Sequence, residues 1–317
     1  MKKVLLIAGG GTLGTYTAQE LLRLGHAVDV VCLEDKVSDN ENLKFYKSNV
    51  TLDYLKELFA TNRYNGIVNF IHYSNYKDYI PYHQLLSSNT DHLIFLSSYR
   101  VYADLQHPIT EDAPQLLDVI RDDPEFIAKE DYALAKSRAE RFLHDNPYPR
   151  NWTIVRPVIS FSHLRLDLNM LTNLDIINAY KKGTSLRLPV EAKNLTAGMD
   201  WAGNSGKLIA NLLFKKETIG EAYTVSTAPN LTTKQIADIY TELLGVKFEW
   251  VSINEYKQLE QKWFAYKWYY DRAYDRSIDC SKILRATGLT QDDFKTLREG
   301  IEIELKKLGV TKLKLYL

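Results

Sequence analysis

A glycine-rich turn close to the start of the chain constrains the fold more than any other feature. Residues 4–8 form the apolar run VLLIA, and Gly9, Gly11 and Gly14 then fit the pattern G-x-G-x-x-G. The next segment, TYTAQELLRLG, places apolar residues at helical spacing. This order of buried strand, tight turn and helix predicts a loop that holds the pyrophosphate of a dinucleotide at the amino end of a helix.

Short apolar runs alternate with amphipathic segments over the first 160 residues. The runs typical of strands are VLLIA, AVDVVCL, LKFY, GIVNFI, HLIFLSS and WTIVRP. We expect helices between them, among them DYLKELFATN and KEDYALAKSRAERFL, whereas DYIPYHQLL reads as a short crossover helix or a turn-rich link. The alternation predicts an α/β fold with a Rossmann-like, doubly wound parallel sheet.

The pattern changes after about residue 160, which suggests a second, smaller unit. Residues 161–198 read as irregular, and a stretch rich in aromatic residues follows near 248–276. We predict a dinucleotide-binding domain at residues 1–160, with elements near 199–228 returning to it. Residues 161–198 and 229–317 would form a smaller C-terminal lobe that faces the substrate.

Composition and charge exclude several classes of function. Lys plus Arg and Asp plus Glu both total 40, so no overall field attracts nucleic acid or an anionic membrane. No run reaches the ~20 apolar residues of a membrane span. The two cysteines, Cys32 and Cys280, argue against a disulfide framework, and the histidines lack metal-ligand spacing. We therefore expect a cytoplasmic protein with no metal site. The balanced charge disfavours a nucleic-acid partner but leaves a local basic patch open.

Two further motifs carry side chains that suit proton transfer. The segment HLIFLSSYRVYAD ends an apolar strand with Ser97 and Ser98, at the edge where parallel sheets bind ligands. The segment YALAK places Tyr132 and Lys136 one helical turn apart. Taken alone, such a pair is also typical of a solvated helix face.

Together these motifs resemble a known family. The glycine loop, Ser-Ser-x-x-Val-Tyr, Y-x-x-x-K and the later Arg-Pro are similar to those of the NAD-dependent epimerase/dehydratase family, within the extended short-chain dehydrogenases/reductases. The segments VNFIHY and PITEDAP resemble an atypical branch with bacterial relatives of chloroplast stem-loop-binding proteins. The resemblance implies an NAD(P)-dependent oxidoreductase or epimerase that forms a homodimer. Its small-molecule substrate would react at a hydroxyl or carbonyl centre, as on a nucleotide-linked sugar.

The resemblance also assigns roles to residues. Tyr132 would be the acid/base, Lys136 its activator and Ser98 the hydroxyl that orients the substrate oxygen during hydride transfer. The residues implied to contact the cofactor are Gly9, Gly11, Thr12, Leu13, Gly14, Cys32, Glu34, Asn49, Val50, Ile71, His72, Tyr132, Lys136, Pro157 and Val158. The alternative is a non-catalytic NAD(P)- or RNA-binding protein on the same scaffold.

The choice between NAD and NADP depends on the end of the second strand. Cys32 stands where the family has its acidic residue, and Glu34 or Asp35 could bind the ribose hydroxyls instead. These carboxylates would repel a 2′-phosphate, whereas Lys36 would attract one. The acidic pair favours NAD.

Several positions depart from the family pattern. Ala8 replaces a glycine, and Tyr99-Arg100 stand where sugar dehydratases carry Asp-Glu, so 4,6-dehydration lacks its second acid and base. The Gly-Pro that grips phosphate after Arg-Pro is absent, and the side chains that could replace it are Arg165, His163 and Lys182. The aromatic run KWFAYKWYYDRAYDR reads as a core helix, or as a wall that stacks on sugars or bases.

Overall fold

The computed structural model describes residues 1–130, 132–146, 149–256 and 262–310. Its strands are β1 (Lys3–Ile7), β2 (Ala27–Cys32), β3 (Leu43–Lys47), β4 (Tyr64–Asn69), β5 (Thr90–Leu96), β6 (Trp152–Pro157), β7 (Ile159–Phe161), β8 (Leu186–Pro189), β9 (Met199–Trp201), β10 (Ala222–Val225) and β11 (Phe248–Val251). Within the described chain, seven of them form one sheet in the order β10-β6-β5-β4-β1-β2-β3.

Helices connect and cover these strands. They are α1 (Thr12–Arg23), α2 (Leu52–Thr61), α3 (Tyr76–Ser88), α4 (Leu116–Val119), α5 (Pro124–Lys129), α6 (Ala133–Asp145), α7 (Asn173–Lys182), α8 (Ala202–Leu212), α9 (Thr233–Leu244), α10 (Lys262–Lys267), α11 (Ser281–Thr287) and α12 (Leu297–Lys307). A π-helical turn, Trp268–Arg272, extends α10, and a 3-10 turn, Tyr99–Val101, follows β5.

Every neighbouring pair in the large sheet is parallel, which confirms the predicted doubly wound fold. The chain runs outward from β1 through β2 to β3 and then returns to the other side of β1 with β4. Strand order therefore reverses between β1 and β4. In open α/β sheets this reversal leaves a crevice at the carboxyl ends of the strands, where ligands bind.

Alternation along β1 explains how the sheet acquires a core on each face. Val4 and Leu6 pack with α1 and α8 residues on one face, whereas Leu5 and Ile7 pack with α2 and α3 residues on the other. All four side chains are fully buried. Since successive side chains of a strand point to opposite faces, a continuous apolar run is what a sheet covered on both sides requires.

Residues after β6 build a second core and two small parallel sheets, β7 with β9 and β8 with β11. β10 returns to pair with β6 in the large sheet, and Ile283 of α11 joins a core of that sheet. The division of the chain into domains stays a prediction. The interpretation of residues 161–198 as irregular is wrong, because α7 and β8 lie there; a Thr172 capping box and Gly183 at positive φ begin and end α7.

The segment DYIPYHQLL belongs to α3, a helix of 13 residues between β4 and β5, so the interpretation as a crossover helix is confirmed and the alternative of a turn-rich link is wrong. Pro81 removes one helical hydrogen bond, but Tyr79 and Leu86 are fully buried in the core beneath the helix. Tertiary packing therefore outweighs the local cost. Within the described residues, none of the helices combines the length and apolar character that crossing a membrane requires.

Candidate active site

The glycine loop turns tightly between β1 and α1. A methyl group on Gly14 would lie 2.2 Å from the carbonyl oxygen of Gly9, so glycine at that position lets helix and strand pack closely. No side chain caps the amino end of α1, and its first turn has no acidic residue. A methyl group on Gly11 would meet no atom within 4 Å. The helix therefore presents free backbone amides to open space, as binding of a phosphate requires.

Two adjoining cavities lie at the carboxyl ends of the strands. The first, here the loop-side cavity, has a volume of about 430 Å³. It is lined by Ala8, Gly10, Gly11, Cys32, Leu33, Glu34, Ser48, Asn49, Val50, Ile71, Tyr73, Asp78 and Tyr82. It combines apolar walls with the polar groups of Glu34 and Asn49, a composition that suits an adenosine moiety.

Glu34 and Lys36 occupy different sides of the glycine loop. A methyl group on Gly10 would lie 2.3 Å from Oε2 of Glu34, so the carboxylate rests against the loop at the loop-side cavity. The Lys36 ammonium instead donates a hydrogen bond to the Gly10 carbonyl at 2.5 Å and lines a separate cavity beside Gly9. A carboxylate at this place can accept hydrogen bonds from ribose hydroxyls and repels a 2′-phosphate.

The second cavity, here the serine-side cavity, has a volume of about 460 Å³. It shares Ala8 and Gly11 with the loop-side cavity, so the two cavities adjoin at the glycine loop, and we call them together the crevice. Its other lining residues are Thr12, Leu13, Gly14, Phe70, Leu96, Ser97, Ser98, Tyr99, Arg100, Tyr132, Pro157, Val158, Ile159, Ser160, Arg165, Asp167, Lys267, Asp271 and Arg272. The hydroxyl-bearing residues Ser98 and Tyr132 thus face the same space as the first turn of α1.

Tyr132 lies immediately before α6 and is its N-cap residue. The Glu130 carboxylate accepts hydrogen bonds from the backbone amides of Tyr132, Ala133 and Leu134 at 2.7–3.1 Å, which fixes the start of the helix. The phenol ring stands beside the His72 ring, with centroids 4.9 Å apart, and under the Arg100 guanidinium, 5.0 Å from the ring centroid. Both contacts hold the tyrosine at the cavity.

Ser98 is held by local geometry at the end of β5. Its hydroxyl oxygen accepts a hydrogen bond from the Arg100 amide at 3.2 Å and caps the short 3-10 turn. The neighbouring Ser97 hydroxyl also lines the cavity, is buried and has no hydrogen-bond partner among the described residues.

Lys136 lies beneath the cavity instead of lining it. Lys136 is 2% exposed, and its ammonium donates hydrogen bonds to the carbonyls of Leu96, at the end of β5, at 2.6 Å and of Ile71, just after β4, at 3.3 Å. Burial lowers the pKa of Lys136 to about 7, while the Glu140 carboxylate acts in the opposite direction. The lysine therefore ties two strand ends together directly below the site.

A buried group of arginines surrounds Asp271, and two of them, Arg100 and Arg272, line the far wall of the serine-side cavity with it. Arg100, Arg272 and Arg276 surround Asp271, at 3.1, 3.1 and 3.4 Å between nitrogen and carboxylate oxygen, and we call these four residues the arginine cluster. Burial acts to raise the pKa of Asp271, but the three guanidinium groups hold it below its ordinary value. Tyr99 adds a hydrogen bond to the same carboxylate at 3.2 Å.

Most residues implied by the resemblance line the crevice, although their roles stay predictions. Three do not line either cavity: Gly9 packs against Leu6 below the loop, His72 supports Tyr132, and Lys136 lies beneath. Ala8, with a positive φ of 55°, occupies the lining position near Gly9. Of the three phosphate-binding substitutes suggested by the sequence, Arg165 lines the serine-side cavity, where it pairs with Asp167 at 2.9 Å.

Other lining residues carried little signal in the sequence. Lys267, Asp271 and Arg272 belong to the aromatic run, whose described part is largely packed: Trp268 is 4% exposed, and Tyr270 stacks on Phe126. The dense alternation of charged and aromatic residues in that run was the only hint that some of them line a ligand site. Among the described residues, no group of three or more His, Cys, Asp or Glu side chains could hold a metal ion.

Comparison with curated proteins gives one relative, and the match covers only part of each chain. No family model matches the sequence. UDP-glucose 4-epimerase of Neisseria meningitidis is 25% identical over 173 residues, which make up 46% of this chain and 48% of the relative. The chain therefore spans about half the length of the curated relative it matches.

Solved structures are similar over nearly the whole chain. The dTDP-glucose 4,6-dehydratase of Bacillus anthracis, in complex with NAD, has a TM-score of 0.70 at 17% identity and covers 96% of each chain. WbmG of Bordetella bronchiseptica, in complex with NAD and UDP, has a TM-score of 0.69 at 18% identity, covering 97% and 95%. UDP-glucuronic acid 4-epimerase of Bacillus cereus, in complex with UDP-glucuronic acid and NAD, has a TM-score of 0.67 at 16% identity, covering 96% and 99%.

These comparisons confirm the predicted resemblance to the NAD-dependent epimerase/dehydratase family and its Rossmann-like fold. All four relatives are enzymes, in agreement with the enzymatic interpretation of the sequence. At sequence identities of 16–18%, the similarity to these structures shows only that the fold is shared. Activity, cofactor and substrate of this chain must therefore be argued from its own crevice.

Proposed function

We propose that this chain binds NAD and catalyses oxidation and reduction at a hydroxyl/carbonyl centre of a nucleotide-linked sugar, as an epimerase or oxidoreductase. One observation carries the proposal: the free amino end of α1, Ser98 and Tyr132 line one cavity, which adjoins the loop-side cavity at Ala8 and Gly11. A dinucleotide along this crevice would place its adenosine in the loop-side cavity and its nicotinamide in the serine-side cavity.

The residues present fit NAD better than NADP. Glu34 supplies an anionic acceptor at the loop-side cavity, while the Lys36 ammonium is bonded to a backbone carbonyl beside Gly9. A 2′-phosphate would meet the carboxylate and find that ammonium already engaged. Cys32 also lines this cavity, and burial raises the pKa of its thiol, so it contributes a neutral wall.

The chain's own residues would perform the proton transfer. When bound, NAD supplies a group that accepts a hydride from the substrate carbon and can return it. Tyr132 would take the hydroxyl proton as the carbonyl forms and give it back on reduction, while the Ser98 hydroxyl donates a hydrogen bond to the same oxygen. The Lys136 ammonium would hold the strand ends beneath them and add positive charge near the phenol.

The residues around the site favour epimerisation or simple oxidation over dehydration. Elimination of water needs a further acid and base beside the tyrosine. Tyr99 is 3% exposed and bonded to Asp271, and Arg100 is paired with that same carboxylate, so neither supplies the pair. Nucleotide-linked sugars are the substrates named for several of the related enzymes, which supports the same class here. A homodimer and a cytoplasmic location stay predictions.

The substitution Tyr132→Phe tests the proposed chemistry. Purified protein loaded with NAD is mixed with UDP- and dTDP-linked hexoses and hexuronic acids, and the sugar products and reduced nicotinamide are measured. We expect Tyr132→Phe to lower turnover about 10²- to 10⁴-fold, the usual contribution of a general acid/base, while NAD affinity changes little. Tyr269→Phe is the matched control, because Tyr269 is 58% exposed and lies outside the cavity lining.

Unchanged turnover in Tyr132→Phe would remove the tyrosine from the mechanism. Binding of NAD without any reduction or sugar product across the panel would instead favour the non-catalytic binding protein. In such a protein Lys136 would have only a structural role, which its buried hydrogen bonds to Leu96 and Ile71 already provide.

A further inference from the structure

The arginine cluster carries more positive charge than its one carboxylate neutralises. Arg272 and Arg276 are 8% and 2% exposed, Arg100 keeps 17% of its side chain exposed, and Asp271 is 1% exposed. Three guanidinium groups thus share one carboxylate. Buried charges are expensive unless each is paired, so a cluster of this kind is complete only when another anion joins it.

Nearby carboxylates offset only part of this charge. Glu130 lies 3.8 Å from Arg100, but its oxygens accept three backbone amides at the start of α6. The charge of Asp167 acts on Arg272 and Lys267, but its hydrogen bonds go to Arg165 and to the Asn173 amide. Neither carboxylate forms a close ion pair with Arg272 or Lys267, so this wall keeps an excess of positive charge.

Lys267 adds a further cation to the same wall. It lines the serine-side cavity together with Arg100 and Arg272. Burial, and then the charge of Arg272, lower the pKa of Lys267 to about 8. An anion bound at this wall would relieve the repulsion between the lysine and its arginine neighbours.

The position of Arg100 determines which part of a substrate such an anion belongs to. Its guanidinium lies 5.0 Å from the ring centroid of Tyr132, the proposed acid/base. An anion held by Arg100 is therefore close to the reacting hydroxyl. On a pyranose, the substituents nearest to a reacting hydroxyl are those of the carbons beside it, whereas a nucleotide diphosphate is attached at the anomeric carbon.

We propose that the substrate is an acidic sugar whose carboxylate lies next to the reacting carbon and is bound by Arg100, Lys267 and Arg272. This inference rests on the proposed function, because it takes Tyr132 as the residue that meets the reacting hydroxyl. Planar guanidinium groups suit a carboxylate, with which they form paired hydrogen bonds.

A matched pair of ligands tests the proposal by binding alone. UDP-glucuronic acid and UDP-glucose differ only in a carboxylate against a hydroxymethyl group, and UDP is the control without a sugar. Calorimetric titration into the NAD-loaded protein should show the acid binding at least about tenfold more tightly than UDP-glucose, as one charge-assisted contact provides. In Arg100→Gln this preference should fall to less than about threefold.

Controls separate the possible causes. Arg63→Gln is the control and should keep the preference, because the Arg63 side chain is 83% exposed. Lys267→Gln should reduce the preference as well, and it replaces Arg100→Gln as the test if that variant does not fold. Equal binding of the two sugars, or a preference that both cavity variants retain, would overturn the proposal. UDP binding as tightly as the acid, with all three ligands weakened by Arg100→Gln, would assign the wall to the diphosphate and also overturn it. Failure of the proposed function would appear separately, as absent NAD binding or absent sugar oxidation.

Discussion

Ala8 shows how one side chain affects both the fold and the crevice. Its φ of 55° is left-handed, a conformation that costs a residue other than glycine about 1–2 kcal/mol. The methyl group lines both cavities, at the point where they join. The family that the sequence resembles has glycine at this position. The chain therefore carries local backbone strain at the point where the pyrophosphate of a bound dinucleotide would pass.

The substitution Ala8→Gly should therefore be harmless or stabilising. Glycine relieves the strain of the left-handed conformation, which is worth about 1–2 kcal/mol. It also makes the unfolded chain more flexible, which lowers the stability by about 0.4–1 kcal/mol, so the two effects balance or the relief is larger. We expect a free energy of unfolding equal to that of the parent or up to about 1 kcal/mol higher, measured by urea denaturation. Ala18→Gly, inside α1, is the control and should lose about 1 kcal/mol. If Ala8→Gly lost as much free energy of unfolding as Ala18→Gly, Ala8 would not be strained in the parent protein.

At the scale of elements, α12 is fixed to α1 through one buried carboxylate. Glu304 is fully buried and accepts hydrogen bonds from the Tyr16 hydroxyl, from the Trp201 indole at 2.8 Å, and from His163 at 2.8 and 2.9 Å. Burial acts to raise the pKa of Glu304, but these hydrogen bonds lower it to about 2. Since α1 carries the glycine loop at its amino end, this contact helps to position the crevice.

The lowered pKa predicts a window of acid sensitivity. Glu304 stabilises the fold fully above its ordinary pKa of 4.5, and this contribution is lost as the pH falls through about 2. A shift of this size corresponds to about 3 kcal/mol. Glu304→Gln should be less stable than the parent at neutral pH, and the difference should shrink between pH 4.5 and 2 in urea denaturation. The exposed Glu302→Gln on the same helix is the control, and a difference independent of pH in this window would contradict the account.

Elements whose signals are local were predicted well from the sequence. Six strands of the large sheet, β1 to β6, follow the runs predicted as strands, whereas β10 was expected only as part of the elements returning near 199–228. The loop before α1 follows from the spacing of its glycines. The exceptions have physical causes. Packing of α3 outweighs the local cost of Pro81, and α7, which begins with a capping box, lies in a stretch whose polar residues made it read as irregular. Propensity alone does not report tertiary support.

At the scale of the whole molecule, the half of the site closest to the sheet was predictable and the opposite wall was not. Ser98 and Tyr132 lie in motifs that follow strands or begin helices. Contacts of the arginine cluster join distant parts of the chain, as between Tyr99 and Asp271, which are 172 positions apart. No local pattern encodes that approach, and it arises only when the segment around Asp271 packs against the turn that follows β5.

The central claim is that the crevice holds NAD with its reactive ring beside the two hydroxyls. A crystal structure of the protein with NAD tests this most directly. The account predicts the pyrophosphate at the amides between Gly11 and Gly14, the ribose hydroxyls at Glu34, and the nicotinamide within contact of Ser98 and Tyr132. A dinucleotide bound elsewhere, or a nicotinamide directed away from these hydroxyls, would contradict it.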